Sequence, residues 1–157
     1  AAGADASGGI GEDHDPETHL IPNVLKSAIT GGNSLKVFGN DYETHDGTCV
    51  RDYVHVTDLA QAHLLGLKSM RGQGKGFSAY NLGNGNGFSV LDVIDGCERV
   101  VGNTISYQID GRRAGDPAIL VADSNKAVIG LGWKPEFDRL GSIVGSAWQW
   151  HSGLGKK

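Results

Sequence analysis

Apolar residues recur at helical spacing from Leu20 to Ile29, through Val24, Leu25 and Ala28. Pro22 suits a first helical turn and Gly31-Gly32 can end the helix, so the pattern predicts an amphipathic helix opening at His19. Leu35 to Phe38 reads as a strand, and Asp52 to Val56 is β-rich. Thr57 and Asp58 then suit an N-cap for a helix from Asp58 to Met70. Leu59, Ala60, Ala62, Leu64, Leu65 and Leu67 cover more of that helix than a surface helix needs, which predicts burial on two sides. Beyond the glycine-rich connection 72–76, Phe77 to Leu82 reads as a buried strand. Ser89 and Asp92 then form a capping-box pattern that opens a helix from Ser89 to Val101. Cys97 falls on its apolar stripe and reads as core. Thr104 to Ile109 suits a strand, and Ser124 to Leu131 and Leu140 to Trp150 suit helices. The first twenty residues lack periodicity and read as loop. Strands alternating with helices make the class α/β or α+β.

Composition narrows the picture. The 157 residues match one ordinary domain, and no apolar run approaches the roughly 20 residues of a membrane span. Fourteen basic against 18 acidic residues give a net charge of −4, which argues against nucleic acid as a partner. Cys49 and Cys97 form neither a disulfide framework nor a Cys-x-x-Cys pair, and two free thiols suit a reducing cytoplasm. Glycine supplies 25 residues, about twice its usual share, so many tight turns are expected. Ala1 opens directly into a polar, turn-rich stretch, and the chain reads as a piece that begins mid-protein.

Four constellations could carry chemistry. In YNLGNGNGFSVLDVI a strand-like segment feeds a glycine-rich turn and a helix start, the arrangement that cradles dinucleotide phosphates. Phe88 stands where G-x-G-x-x-G needs glycine, so a turn packing a strand on a helix is the better reading. Glu12, Asp13, His14, Asp15, Glu17 and His19 mix imidazole with carboxylate, but without H-E-x-x-H spacing they read as a solvated acidic loop, and no metal is expected. A Ser-His-Asp hydrolase has no G-x-S-x-G elbow to support it. Arg51, Arg112 and Arg113 lie on or beside short loops, where guanidinium groups suit phosphate oxygens; surface salt bridges are the alternative.

The segments GEDHDPETHLIP, VFGNDYETHDGTCVRDYVHVTDLAQAH, YNLGNGNGFSVLDVI, RRAGDPAILVADSNKA and LGWKP, in this order, resemble the C-terminal half of the UDP-glucose 4-epimerases, which are extended short-chain dehydrogenase/reductases. The resemblance covers nearly the whole chain. It implies an α/β, Rossmann-type substrate-binding portion over residues 1–157. The helix after Val56 and the strand before Gly83 would complete the sheet of an N-terminal NAD-binding domain absent here. It also implies isomerase chemistry in galactose metabolism: bound NAD takes a hydride from C4 of a UDP-hexose and returns it to the opposite face. No catalytic or NAD-binding residue can be assigned in this chain, because none of its four tyrosines completes Tyr-x-x-x-Lys.

By the same resemblance, His19 and Leu20 begin the helix that approaches the diphosphate, and Lys36, Val37 and Phe38 line the uracil site. Arg51 and Arg113 grip the pyrophosphate, Asp116 accepts from ribose hydroxyls, and Leu120 limits space around the sugar's C2 substituent. UDP-glucose and UDP-galactose are the expected substrates, the cytoplasm the expected compartment, and a homodimer the expected assembly of the full-length enzyme. The alternatives are a free-standing, non-catalytic UDP-sugar-binding module, a relative acting on UDP-N-acetylhexosamine, and an enzyme acting on another nucleotide sugar.

Overall fold

A computed structural model describes residues 1–32, 35–71 and 76–154. Its elements are α1 (Leu20–Thr30), β1 (Lys36–Phe38), β2 (Val50–Arg51), α2 (Val56–Met70), β3 (Phe88–Ser89), α3 (Val90–Val101), β4 (Gln108–Asp110), β5 (Ile119–Leu120), α4 (Asn125–Leu131) and α5 (Leu140–Leu154). The class is α/β. The strands are short and form two small sheets. β1 pairs with β4 in parallel, and β2 lies between antiparallel β3 and parallel β5.

The main core is where α1, α3 and α5 meet. Val24, Leu25, Val93, Ile94, Cys97, Ile143 and Val144 fill it and are fully or almost fully buried. α3 starts with the capping box that its sequence predicts: Ser89 Oγ accepts from Asp92 N and Asp92 Oδ2 accepts from Ser89 N, both at 2.9 Å. Gly102 closes it in the left-handed conformation, as Gly31 closes α1. Burial pushes the Cys97 thiol up to about 12, so it stays protonated and apolar in character.

A second, smaller core holds Val54, Ala62, Ala127 and Trp133, between α2 and α4. Here the structure corrects several expectations. α2 begins at Val56 and its N-cap is His55, whose Nδ1 accepts from Thr57 N at 3.1 Å. Asp58 does not cap the helix, because its carboxylate turns to the backbone N–H groups of Glu136 and Phe137. Only Asp58 and Ala62 of α2 are buried, so the expected two-sided burial is absent. Residues 77–82 form no strand, since none of the described residues runs alongside to pair with them, and Phe77 is 92% exposed. The β-rich stretch 52–56 contributes only a bridge from His55 to Ala2, the expected strand from Thr104 shortens to β4, and α5 runs on to Leu154. Most of the connection 72–76 lies outside the described residues.

His55 is a buried titratable group at the junction of the two cores. It is 1% exposed, stacks on Phe137 at 3.9 Å between ring centroids, and lies with Nε2 2.9 Å from Ser146 Oγ. Because Nδ1 accepts from Thr57, the proton sits on Nε2 and is donated to Ser146, whose own hydroxyl donates to the Ile143 carbonyl. This serine–histidine pair is thus a sealed structural link. Burial lowers the His55 pKa from its ordinary value, against a smaller opposing effect of Asp58. The unfolded chain then binds more protons than the folded one as pH falls below 6.5, so stability should decline from pH 7.5 to pH 5.5. Urea melts across that range should show the decline, with a smaller pH slope in His55→Gln; an equal slope in that variant would assign it elsewhere, with His151, also lowered by burial, the next candidate.

Candidate functional site

β1, β2 and the start of α1 frame a cavity of about 680 Å³, within the range of small-molecule sites. Glu17, Thr18, Leu20 and Asn23 form one wall, Leu35, Lys36 and Phe38 another, and Cys49, Arg51, Tyr53, Val90, Arg113 and Asp116 complete the lining. The sheets explain how residues so far apart in sequence meet. Phe38 lies opposite Asp110 across the β1–β4 pair, which delivers the 111–116 turn beside β1. Arg51 lies opposite Leu120 across the β2–β5 pair, which brings the residues just before β5 to β2.

Six of the sequence-expected residues line this cavity: Leu20, Lys36, Phe38, Arg51, Arg113 and Asp116. Arg51 is fixed by three bonds. Nη1 donates to the carbonyls of Val50 at 2.7 Å and Pro117 at 2.9 Å, and Nη2 donates to Asp116 Oδ1 at 3.2 Å. The Arg113 guanidinium lies 3.8 Å above the Phe38 ring and makes no hydrogen bond or ion pair among the described residues. Lys36 Nζ donates to Asp110 Oδ2 at 2.9 Å, a contact that lowers the Asp110 pKa. Arg112 points elsewhere: it stacks on Tyr42 at 4.2 Å and bonds Asp41.

Three expected residues sit apart from the lining. Val37 is buried, because alternation along β1 turns it away from Lys36 and Phe38. His19 precedes α1 and faces Glu12 and Glu17. Leu120, on β5, is 60% exposed. Residues that sequence reasoning left out also line the cavity: Glu17, Thr18, Asn23, Leu35, Cys49, Tyr53 and Val90. Asn23 falls one turn beyond Leu20 on α1, a helical-spacing signal that could have found it. Glu17 carries a pKa below the ordinary value: burial pushes it up, but hydrogen bonds from the His19 backbone and ring, with the nearby charge of Lys26, outweigh that.

The glycine-rich turn 83–87 is already filled. Asp52 accepts from Asn84 N at 3.0 Å, Gly85 N at 3.3 Å and Ala122 N at 3.2 Å. A Cβ on Gly83 would lie 2.3 Å from Asp52 Oδ2 and 2.6 Å from Ala122 Cβ, so close backbone approach explains that glycine. A carboxylate on these N–H groups excludes a phosphate, and the turn has the packing role read from its spacing.

The architecture is that of the Rossmann-type extended short-chain dehydrogenase/reductases. A crystal structure of a UDP-glucose 4-epimerase matches with a TM-score of 0.92 and 51% identity over 98% of this chain and 46% of that one. A Bifidobacterium longum UDP-glucose 4-epimerase in complex with NAD+ and UDP matches with a TM-score of 0.91 and 41% identity, over 98% of this chain and 45% of that one. The chain belongs to the NAD dependent epimerase/dehydratase family, whose pattern matches residues 7–83. In sequence it is 52% identical to UDP-glucose 4-epimerase of Halalkalibacterium halodurans over 96% of this chain and 45% of that protein. The chain thus spans about 45% of the length of the curated relatives it matches.

Proposed function

We propose that this chain builds the UDP-hexose site of an NAD-dependent UDP-glucose/UDP-galactose 4-epimerase. The observation that carries the reading is the cavity in which Arg51, Arg113 and Lys36 converge beside the Phe38 ring. Arg51 and Arg113 hold the diphosphate, because planar, permanently charged donors match its oxygens. The cavity-facing start of α1 adds to this: His19 supplies no side-chain cap, so the N–H groups and dipole of the first turn are available to an anion. Phe38 and the β1 backbone at Lys36 and Val37 take the uracil. Asp116, held by Arg51, takes the ribose hydroxyls. Leu20 walls the cavity, and His19 and Leu120 take their family roles at the diphosphate and the sugar after small adjustments of side chains.

The residues present do not fit NAD. The glycine-rich turn that could hold its pyrophosphate is occupied by Asp52. In our reading NAD and the hydride chemistry belong to a Rossmann domain preceding residues 1–157. That domain also covers the apolar face of α2, where Leu64, Leu67 and Met70 stand exposed beside a cavity of about 280 Å³. Homodimer assembly and a cytoplasmic location belong to the same proposal; among the described residues no helix is long and apolar enough to cross a membrane. Two measurements bear on it. The isolated chain should self-associate through the α2 face, so sedimentation should reveal oligomers that Leu64→Lys with Leu67→Glu removes; a monomeric wild type with a high, cooperative melt would contradict this. Titration calorimetry should show UDP binding more tightly than uridine, since the arginines recognise the diphosphate. Folded, soluble chain that binds neither would overturn a nucleotide site built within these residues.

A further inference from the structure

The stretch between Gly11 and Leu20 holds a compact group of side chains of which the nucleotide reading uses only His19, while Glu12 and His14 have no part in it. Glu12 Oε1 lies 3.2 Å from His14 Nε2 and 3.0 Å from His19 Nδ1, and the three donor atoms all fall within 4.8 Å of one another. The two imidazole rings face each other at 5.0 Å between centroids. Glu17 Oε1 approaches the same His19 Nδ1 at 2.9 Å. One ring nitrogen therefore faces two carboxylate oxygens. A neutral imidazole carries a single N–H and cannot satisfy both along its bond direction, whereas a cation among these donors is attracted to all of them.

A second observation points the same way. The Glu17 side chain is only 5% exposed, and its Oε2 is buried without a hydrogen-bond partner, with Lys26 Nζ 3.7 Å away. Lys26 is the counter-charge on Oε2, while Oε1 of this water-excluded carboxylate is turned to His19 and stands at the edge of the cluster, where a further ligand would lie. The backbone holds the group in place. Trp150 Nε1, on α5, donates to the Glu12 carbonyl at 2.9 Å, and Gly11 packs so tightly on the Trp150 ring that a Cβ would lie 2.3 Å from it. At the other end His19 is anchored as the residue preceding α1.

From this geometry we propose a divalent transition-metal site, suited best to Zn²⁺, with Glu12 Oε1, His14 Nε2 and His19 Nδ1 as ligands. Two imidazoles and a carboxylate are donors that zinc accepts and that magnesium and calcium do not prefer. Ligands about 2.0–2.1 Å from a tetrahedral zinc stand about 3.3 Å apart, close to the two shortest spacings here. The fourth position is left to water or to Glu17. Glu17 and Thr18 line the main cavity, so the bound ion clamps the loop between α5 and α1 and stiffens that wall. The sequence pattern hid the site because Glu12, His14 and His19 share no helix; a loop held at both ends makes them neighbours.

The test uses the full chain without a polyhistidine tag, stripped with a chelator and titrated with Zn²⁺ against a chromophoric competitor. One Zn²⁺ per chain is expected, and His14→Ala and His19→Ala should each weaken it roughly tenfold or more. Co²⁺ should give the intense visible absorption of tetrahedral coordination, lost in both variants. Far-UV circular dichroism of the metal-free variants should equal the wild type, separating loss of ligand from loss of fold. His45→Ala is the control, because His45, Asp46 and Asp92 form another group of possible ligands; it should bind as wild type does. Absence of stoichiometric binding, binding untouched in the His14 and His19 variants, or binding lost in the His45 variant would each overturn the assignment. None of these outcomes depends on whether the chain binds UDP.

Discussion

Asp58→Ala should destabilise the chain by about 3–5 kcal/mol, the largest single-residue effect expected outside the main core. Asp58 is 2% exposed, and its two oxygens accept from the backbone N–H groups of Glu136 at 2.9 Å and Phe137 at 3.0 Å. Its backbone carbonyl accepts from Trp133 Nε1 at 2.9 Å, so one residue ties α2 to the segment between α4 and α5 at three points. Alanine keeps the carbonyl bond but strands two N–H groups and leaves a gap beside Trp133, which is fully buried. Asn, with a single acceptor oxygen, should retain one bond and lose about half as much. Urea titrations followed by far-UV circular dichroism would measure both variants. A loss under about 1 kcal/mol in the alanine variant would mean that water reaches the 136–137 backbone and that the buried carboxylate is not the anchor.

The second large effect concerns ligand. Arg51→Ala and Arg113→Ala should each weaken UDP binding by about 1.5–3 kcal/mol, roughly 10- to 150-fold in Kd. The two variants should differ in stability. Arg51 bridges the Val50 and Pro117 carbonyls and Asp116, so its removal loosens the β2–β5 junction as well as the site. The Arg113 guanidinium lies over the Phe38 face and makes no hydrogen bond or ion pair among the described residues, so Arg113→Ala should leave the melting transition in place. Arg113→Lys should recover only part of the affinity, since an ammonium neither stacks as a plane nor forms two parallel bonds to a phosphate. Raising the salt concentration should weaken the wild type more than either alanine variant. Equal UDP affinity in wild type and both alanine variants would remove the arginines from the site.

Part of this could be read along the chain. α1, α3, α4 and the start of α5 were legible because a helix is held by bonds within its own segment and its ends by local caps, as at Ser89–Asp92 and Gly31. Cys97 was legible as core by periodicity alone. The strands were less so. β2 is two residues long and exists because β3 and β5 come beside it, while 77–82 has strand-like composition and no neighbour among the described residues. Arg51 and Arg113 stood out by residue type and by family resemblance. That Asp116 fixes Arg51, and that Arg113 lies on Phe38 while Arg112 turns to Tyr42, required their side chains in space.

The amino-acid sequence by itself determined the helices, their caps, the family, and the arginine and aromatic residues offered to a nucleotide, because each depends on short-range spacing or residue identity. Tertiary structure alone decided the cavity, the diversion of Asp58 from cap to anchor, the filling of the glycine turn by Asp52, and the meeting of Glu12, His14 and His19. In each of these a side chain has several partners within reach, and which one it bonds depends on packing contacts that bring distant segments, or both ends of a loop, to fixed positions.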